Sequence, residues 1–395
     1  MENELLQKAQ ALQEQIVTWR RQIHMHPEPG FQEHRTAESI AEALRAMGIE
    51  NETGIAKTGV VGRLGHGRPA VGIRADMDAL EIHEVNQTPY ASKVPGMMHA
   101  CGHDAHIAML LGTAALLSQM PDLPPGEVRF LFQPSEESWD DEGKGGALRM
   151  FEDGALKDLD AVLALHVDSQ MTTGKIGIRS GYVMAGVDPY DVVIHGSGCH
   201  SAAPHEGVNP VFLLAQVVNA IQAIHSLRLN PLEVGIISCE SVHGVSTTGV
   251  IPASVRMHGN IRYYEEHARR LLREELENAL KIVRPLGGDF ELKVQDIYPA
   301  TYNDPDVCEL VRAVGTEMFG EAAIYAPGRS MAGEDFGYMA QRAPGAYVNL
   351  GAKLDEIERP HHSPQFDLDE SALPIGTALL AAATLKLLDS NPKPG

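Results

Sequence analysis

Apolar residues recur at helical spacing from residue 4 to residue 26, through Leu5, Leu6, Ala9, Leu12, Ile16, Trp19 and Ile23, which predicts one amphipathic helix. It stops at the breaker cluster Pro27-Glu-Pro-Gly30. A second helix is expected from about Glu33 to Met47, closed by Gly48. Val60–Leu64 and Ala70–Ala75 read as short strands joined by a Gly-rich turn. The pattern turns helical from His103 to Leu117. Glu127–Gln133 is a strand broken by Pro134, Gly145–Gly154 is a helix, and Ala161–His166 is a mostly apolar strand. Such alternation predicts an α/β layer around a buried sheet.

The middle of the chain differs. Strand-like runs at Asp191–Gly196, Glu233–Cys239, Ala253–Arg262 and Phe290–Gln295 flank two helices, Asn209–Leu227 and Glu265–Arg284. This β-α-β-β-α-β order predicts a smaller α+β domain of two layers, with both helices on one face. After residue 300 the pattern suits the first domain again, with a helix over Asp304–Gly320, a strand over Ala346–Leu350 and a helix over Leu373–Leu388. We read an α/β domain built from residues 1–185 and 298–395, interrupted by an inserted domain over 186–297. Only the Pro-rich tail after Asp389 looks loose.

A length of 395 residues suits two cores better than one. A net charge of -21, without a Lys/Arg cluster, argues against nucleic acid as a partner. The longest apolar stretches, near Ala108–Leu117 and Leu373–Leu388, are interrupted or short for a membrane span. The four cysteines lie far apart, outside any secreted disulfide pattern, and the N-terminus lacks a basic region followed by an apolar run. A soluble, cytoplasmic protein is expected.

Candidate chemistry gathers at predicted strand ends. Cys101 and His103 sit two residues apart in a Gly-containing loop, followed by Asp104 and His106. Thiolate, imidazole and carboxylate are the usual ligands of zinc-like ions, but a buried inert thiol gives the same pair. Glu136-Glu137 follows the strand ending at Gln133; the pair either binds metal and handles protons or is an exposed acidic loop. His166 ends an apolar strand, as a ligand or as a hydrogen-bonded core histidine. Asp76 and Asp78 end another, where they either orient ligands or cap a turn. His361 and His362 share a loop. In the insert, a Gly-rich turn carries His200 and His205, and Asn260 and Arg262 end a strand; Arg262 suits a substrate carboxylate or a surface salt bridge.

Taken in order, these segments resemble the M20 family of metallopeptidases and amidohydrolases. The markers are His24-x-His-Pro-Glu-Pro-Gly30, Arg74-Ala-Asp-Met-Asp-Ala-Leu80, Met98-His-Ala-Cys-Gly-His-Asp-Ala-His106 and Gln133-Pro-x-Glu-Glu137. Leu165-His166, Gly198-x-His-Ser-Ala-x-Pro-His205, Gly333-Glu-Asp-Phe336 and His362-Ser-Pro364 complete them. The chain looks closest to the branch of aminoacylases, hippurate hydrolases and plant auxin-conjugate hydrolases. The resemblance implies a catalytic α/β domain with a mixed sheet and an inserted dimerisation or lid domain. It implies two divalent ions (zinc, manganese, cobalt or nickel) held by Cys101, His103, Glu137, His166 and His362, with Cys101 bridging. Glu136 matches the general base, and His200 the residue that stabilises the tetrahedral intermediate, often across a dimer interface.

The implied substrate is an N-acyl amino acid or a short peptide, the reaction amide hydrolysis, and the assembly a homodimer or larger. A metallocarboxypeptidase or dipeptidase on the same site is the alternative. Three segments depart from the branch pattern: Gly244–Pro252 lacks an Asn, Asn260 replaces the usual Thr, and Ser138–Gly143 replaces a glycine-rich run.

Overall fold

The computed structural model describes residues 2–244 and 247–390; positions 245 and 246 of the departing Gly244–Pro252 segment and the tail beyond Ser390 lie outside them. Two compact units emerge. The first comprises Met1–Val183, Thr301–Arg329 and Asp335–Gly395; the second comprises Met184–Ala300 and Ser330–Glu334.

The first unit opens with two helices where the pattern predicts one: α1 (Glu2–Ala11) and α2 (Gln13–His24). Leu12 breaks them because its N–H is shared between the carbonyls of Lys8 and Ala9, both at 3.1 Å, which tightens the last turn. Leu5, Ala9, Ile16 and Ile23 are nevertheless all buried. The next helix, α3 (His34–Ala46), starts where the Glu28 carboxylate accepts from the N–H groups of Arg35 and Thr36. The acid of the His-Pro-Glu-Pro motif thus satisfies donors that a helix start leaves open.

The sheet begins with β1 (Glu50–Ile55), β2 (Gly59–His66) and β3 (Ala70–Asp76), then runs through β4 (Gly126–Gln133) and β5 (Ala161–Asp168). Helices α4 (His103–Ser118) and α5 (Gly146–Glu152) lie between those strands in the chain. The eight-stranded order is β1-β2-β4-β3-β5, then Gly345–Gly351, Ile176–Gly177 and Ile324–Tyr325. β3 runs parallel to β4 and β5, and Gly345–Gly351 runs parallel to β5, whereas β2 is antiparallel to β4. The sheet is therefore mixed, with a parallel centre. Every residue of β3 is buried, as the continuous apolar runs of parallel strands require.

Helix Leu373–Ser390 and α4 are buried nearly all round. By length and composition, Glu370–Ser390 and Pro210–Leu227 both reach what a membrane span needs, contrary to the expectation of interrupted or short stretches. For Glu370–Ser390 the apolarity serves the core, since 83% of its window is buried within the fold.

The second unit is a four-stranded antiparallel sheet in the order Gly235–His243, Ser254–Tyr263, Gly186–His195, Asp289–Val294. Its helices Pro210–Leu227 and Glu266–Leu280 supply Leu213, Val217, Leu272 and Leu276 to a core shared with Val192, Ile194, Met257 and Ile261. Ser330–Glu334 returns to this unit: Ala185 N–H donates to Ala332 O at 3.0 Å, and Tyr264 Oη to Ser330 O at 3.0 Å.

Tight packing follows directly behind β4. A methyl group on Gly146 would sit 1.6 Å from the Pro134 carbonyl oxygen, which is backbone. Gly146→Ala is expected to destabilise the protein by about 1–3 kcal/mol in denaturant unfolding, as overpacking does. Unchanged stability would show that the Pro134 turn yields freely.

Candidate metal centre

Because β3, β4 and β5 are parallel, Asp76, Gln133 and Asp168 finish at one edge of the sheet, where the loops after them converge. The Cys101 loop enters α4 through Gly102, whose φ of +93° and close approach to Val167 suit only glycine. His103, the first helical residue, donates from Nδ1 to the Asp78 carbonyl at 2.9 Å. That leaves its Nε2 buried with no hydrogen-bond partner. His166 donates from Nδ1 to the Val167 carbonyl at 2.7 Å and turns Nε2 toward Cys101 Sγ at 3.5 Å. Ser135 turns β4 into the Glu pair with φ +46°. Its N–H donates to Glu33 at 2.9 Å, and the Glu137 N–H donates to Asp78 Oδ2 at 2.9 Å. His362 donates its N–H to Ala100 O at 2.8 Å, with Nε2 2.8 Å from Glu137 Oε1.

The donor atoms form overlapping triads, in each of which all three lie within 4.8 Å of one another: Cys101/His103/His166, Cys101/Glu137/His362 and His103/Glu136/Glu137. Cys101, His103 and Glu137 each belong to two of them. Mixed sulfur, nitrogen and oxygen donors with an orphaned imidazole nitrogen fit a pair of zinc-like divalent ions. His106 is different: Nδ1 meets Asp76 at 2.6 Å and Nε2 accepts from the Val167 N–H at 3.0 Å, so the protein uses both nitrogens. His361 packs on the His166 ring, its Nδ1 3.8 Å from Cys101 Sγ.

The electrostatics describe a site that attracts positive charge. Hydrogen bonds to Cys101 and Glu137 raise the His362 pKa to about 10. Burial alone would lower His103, but Asp76, Asp78 and Cys101 raise it well above the usual imidazole range. His166 goes the other way, held neutral by burial and by His106 and His361. Burial pushes the Cys101 thiol up, the reverse of what an unassisted thiolate nucleophile requires.

Sequence reasoning missed Glu33, which is fully buried under the Ser135 turn and bonded to Thr58 Oγ1. It quoted Arg74, Gln133 and Asp335 only as markers. The structure ties them into one buried knot, with Asp335 accepting from Arg74 at 3.1 Å, Gln133 at 2.8 Å and the Ala147 N–H at 3.0 Å. His200, Asn260 and Arg262 belong to the second unit. His200 is exposed and accepts from the Ala202 N–H, Asn260 donates to Glu240 at 2.6 Å, and Arg262 donates to Met331 O at 2.6 Å.

Residues 72–386 match the model of peptidase family M20/M25/M40. Over 387 residues the chain is 37% identical to thermostable carboxypeptidase 2 of Saccharolobus solfataricus, covering 96% of each. It is 36% identical over 386 residues to the N-acetyl-L-cysteine deacetylase of Bacillus subtilis, covering 96% of this chain and 90% of that one. Among solved structures, the Bacillus subtilis YXEP protein, a dinuclear metal binding peptidase from the M20 family, matches with a TM-score of 0.83 at 31% identity, covering 96% of this chain and 99% of that one.

Glu33 gives a test of the turn under the glutamates. Burial and then Asp78 raise its pKa from an ordinary 4.5 to about 7. The folded value lies above the unfolded one, so the protonated acid is favoured in the folded chain. The associated stability is complete below about pH 4.5 and is lost as pH rises through about 7. Glu33→Gln can still accept from Ser135 and can donate to Thr58. In metal-free protein, its melting temperature relative to the parent should climb between pH 4.5 and 7 and level off above. A difference independent of pH would refute the shift.

Proposed function

Because the chain belongs to the M20/M25/M40 peptidase family, we propose that it is a metal-dependent amidohydrolase that splits N-acyl amino acids into a carboxylic acid and a free amino acid. The observation that carries this reading is Cys101, shared by two donor triads, beside a glutamate pair. Divalent ions held there would polarise the scissile carbonyl and acidify a water. Cys101, His103, His166, Glu137 and His362 are the residues that would hold those ions, with Cys101 common to the His103/His166 and the Glu137/His362 donor sets. The carbonyls of Asp78 and Val167 fix the tautomers that point Nε2 of His103 and His166 inward.

Glu136 is buried at 8% exposure and lies beside His103 and Glu137. It takes the proton of the attacking water and returns it to the leaving nitrogen. His200 is assigned the developing oxyanion, which makes a homodimer or larger assembly part of the proposal. Arg262 spends one nitrogen on Met331 O and keeps the rest of its fork for a substrate carboxylate. Asn260, held by Glu240, is the accompanying polar contact.

Trp139, two residues beyond Glu137 and 47% exposed, offers apolar surface for an acyl group. A free α-amine would need an uncommitted acid instead, and the nearby Asp140 is engaged by Lys57 and Arg149. The similarity to a carboxypeptidase supports the second reading, peptide cleavage by the same residues.

Hydrolysis of N-acetyl, N-benzoyl and unblocked dipeptide substrates by zinc-, manganese-, cobalt- or nickel-reconstituted protein separates the two. Faster cleavage of the acyl substrates is expected; preference for dipeptides would overturn the amidohydrolase assignment. Full chelation should abolish turnover, and activity surviving it would sink the metal reading. Glu136→Gln should retain metal and lose about 10²–10⁴-fold in kcat; near-parent turnover would remove Glu136 from proton transfer.

A further inference from the structure

Outside the donor triads, the first unit buries a second constellation of charge. Arg20, on α2, is 0% exposed. Its Nε donates to Asp104 Oδ2 at 3.1 Å, Nη1 to Glu370 Oε1 at 3.0 Å and Nη2 to Asp367 Oδ1 at 2.8 Å. Each edge of the guanidinium fork is thereby used, and the face lies 5.2 Å from the Tyr90 ring centroid. Tyr90 Oη donates to the other oxygen of Asp367 at 2.9 Å. His24, one turn along α2, meets Asp104 Oδ2 at 2.8 Å. Arg21 holds Glu370 from the adjacent position, at 2.9 and 2.6 Å.

The places of these carboxylates in the chain are informative. Asp104 directly follows His103 in the first turn of α4. Asp367 and Glu370 follow the loop that carries His362. Those two segments are some 260 residues apart in the chain (from Cys101 to His361) and must come together for Cys101 to face His361 and His362. One backbone hydrogen bond, His362 N–H to Ala100 O, joins them directly. The Arg20 fork joins them again from behind.

We infer that Arg20 is a positioning residue that sets the distance between the His103 loop and the His362 loop, and so the geometry of the metal pair. This rests on the metal reading given above. A planar fork with five donors suits the task, because it fixes three acceptors in one plane; a lysine ammonium is a point charge without that geometry. Groups behind the ligands of a metal commonly alter affinity about 10- to 100-fold when replaced.

The test uses full-length protein and cobalt(II), with uptake followed by the absorption of the bound ion and by competition with a chelator. Arg20→Lys keeps the charge and loses the fork. Glu370→Gln, at a partly exposed position, removes one acceptor and is the milder change. Arg20→Lys should fold with the parent's circular dichroism, bind cobalt about 10- to 100-fold more weakly and shift the cobalt spectrum. Glu370→Gln should move both readouts in the same direction by less. Parent-like affinity and spectrum in the variants that fold, with only the melting temperature lowered, would make Arg20 a structural anchor and overturn the inference. A parent that takes up no cobalt would overturn the metal reading instead.

Discussion

Buried carboxylates near the shared end of the parallel strands organise the first unit, and Asp76 and Asp104 are each matched to an arginine and a histidine. Asp76 meets His106 at 2.6 Å and Arg74 at 2.8 Å; Asp104 meets His24 and Arg20. An ionised carboxylate in an interior is tolerated only with such partners. Burial alone would push Asp76 up, yet Arg74, His103 and His106 hold it well below the usual carboxylate range. Burial likewise opposes charge on His24, but Asp104 raises its pKa to about 9. The sheet therefore ends in fixed charges whose partners are rigid, and the donors for metal are built on that frame.

This frame explains which parts of the molecule were legible in the chain. Strands β3, β4 and β5 read plainly because they are buried on both faces and nearly continuous in apolar residues. β1 did not, since Glu50–Ile55 has no alternation and its residues are mostly exposed; it is held by backbone pairing to β2. Glu136, Glu137 and His166 stood out as polar residues after apolar strands, and Cys101 and His103 as a close pair in a Gly-containing loop. The choice of His362 over His361 rested on the family resemblance, and the structure places the Nε2 of His362 beside Glu137.

Glu33 and Arg20 were invisible for a common reason. Each occupies a position that a single helix pattern assigns to the polar side. Arg20 is buried because Asp104, Asp367 and Glu370 arrive from 84, 347 and 350 residues away. Glu33 is buried because Ser135 arrives from 102 residues away. Local periodicity reports how an element meets a core; it carries no information about which distant groups satisfy a buried polar side chain. Only the fold supplies those partners.

The same reasoning sharpens the role of Cys101. Burial raises the Cys101 thiol, which makes it a poor nucleophile alone, although hydrogen bonds with His103 and His362 act against that rise. What surrounds the sulfur is a ring of donors whose other faces are already committed, His103 to Asp78 and His166 to Val167. Donors fixed from behind and converging on one sulfur make a preorganised cluster of sulfur, nitrogen and oxygen ligands. That fixed convergence, rather than the presence of a cysteine alone, is the physical case for a site that suits divalent ions.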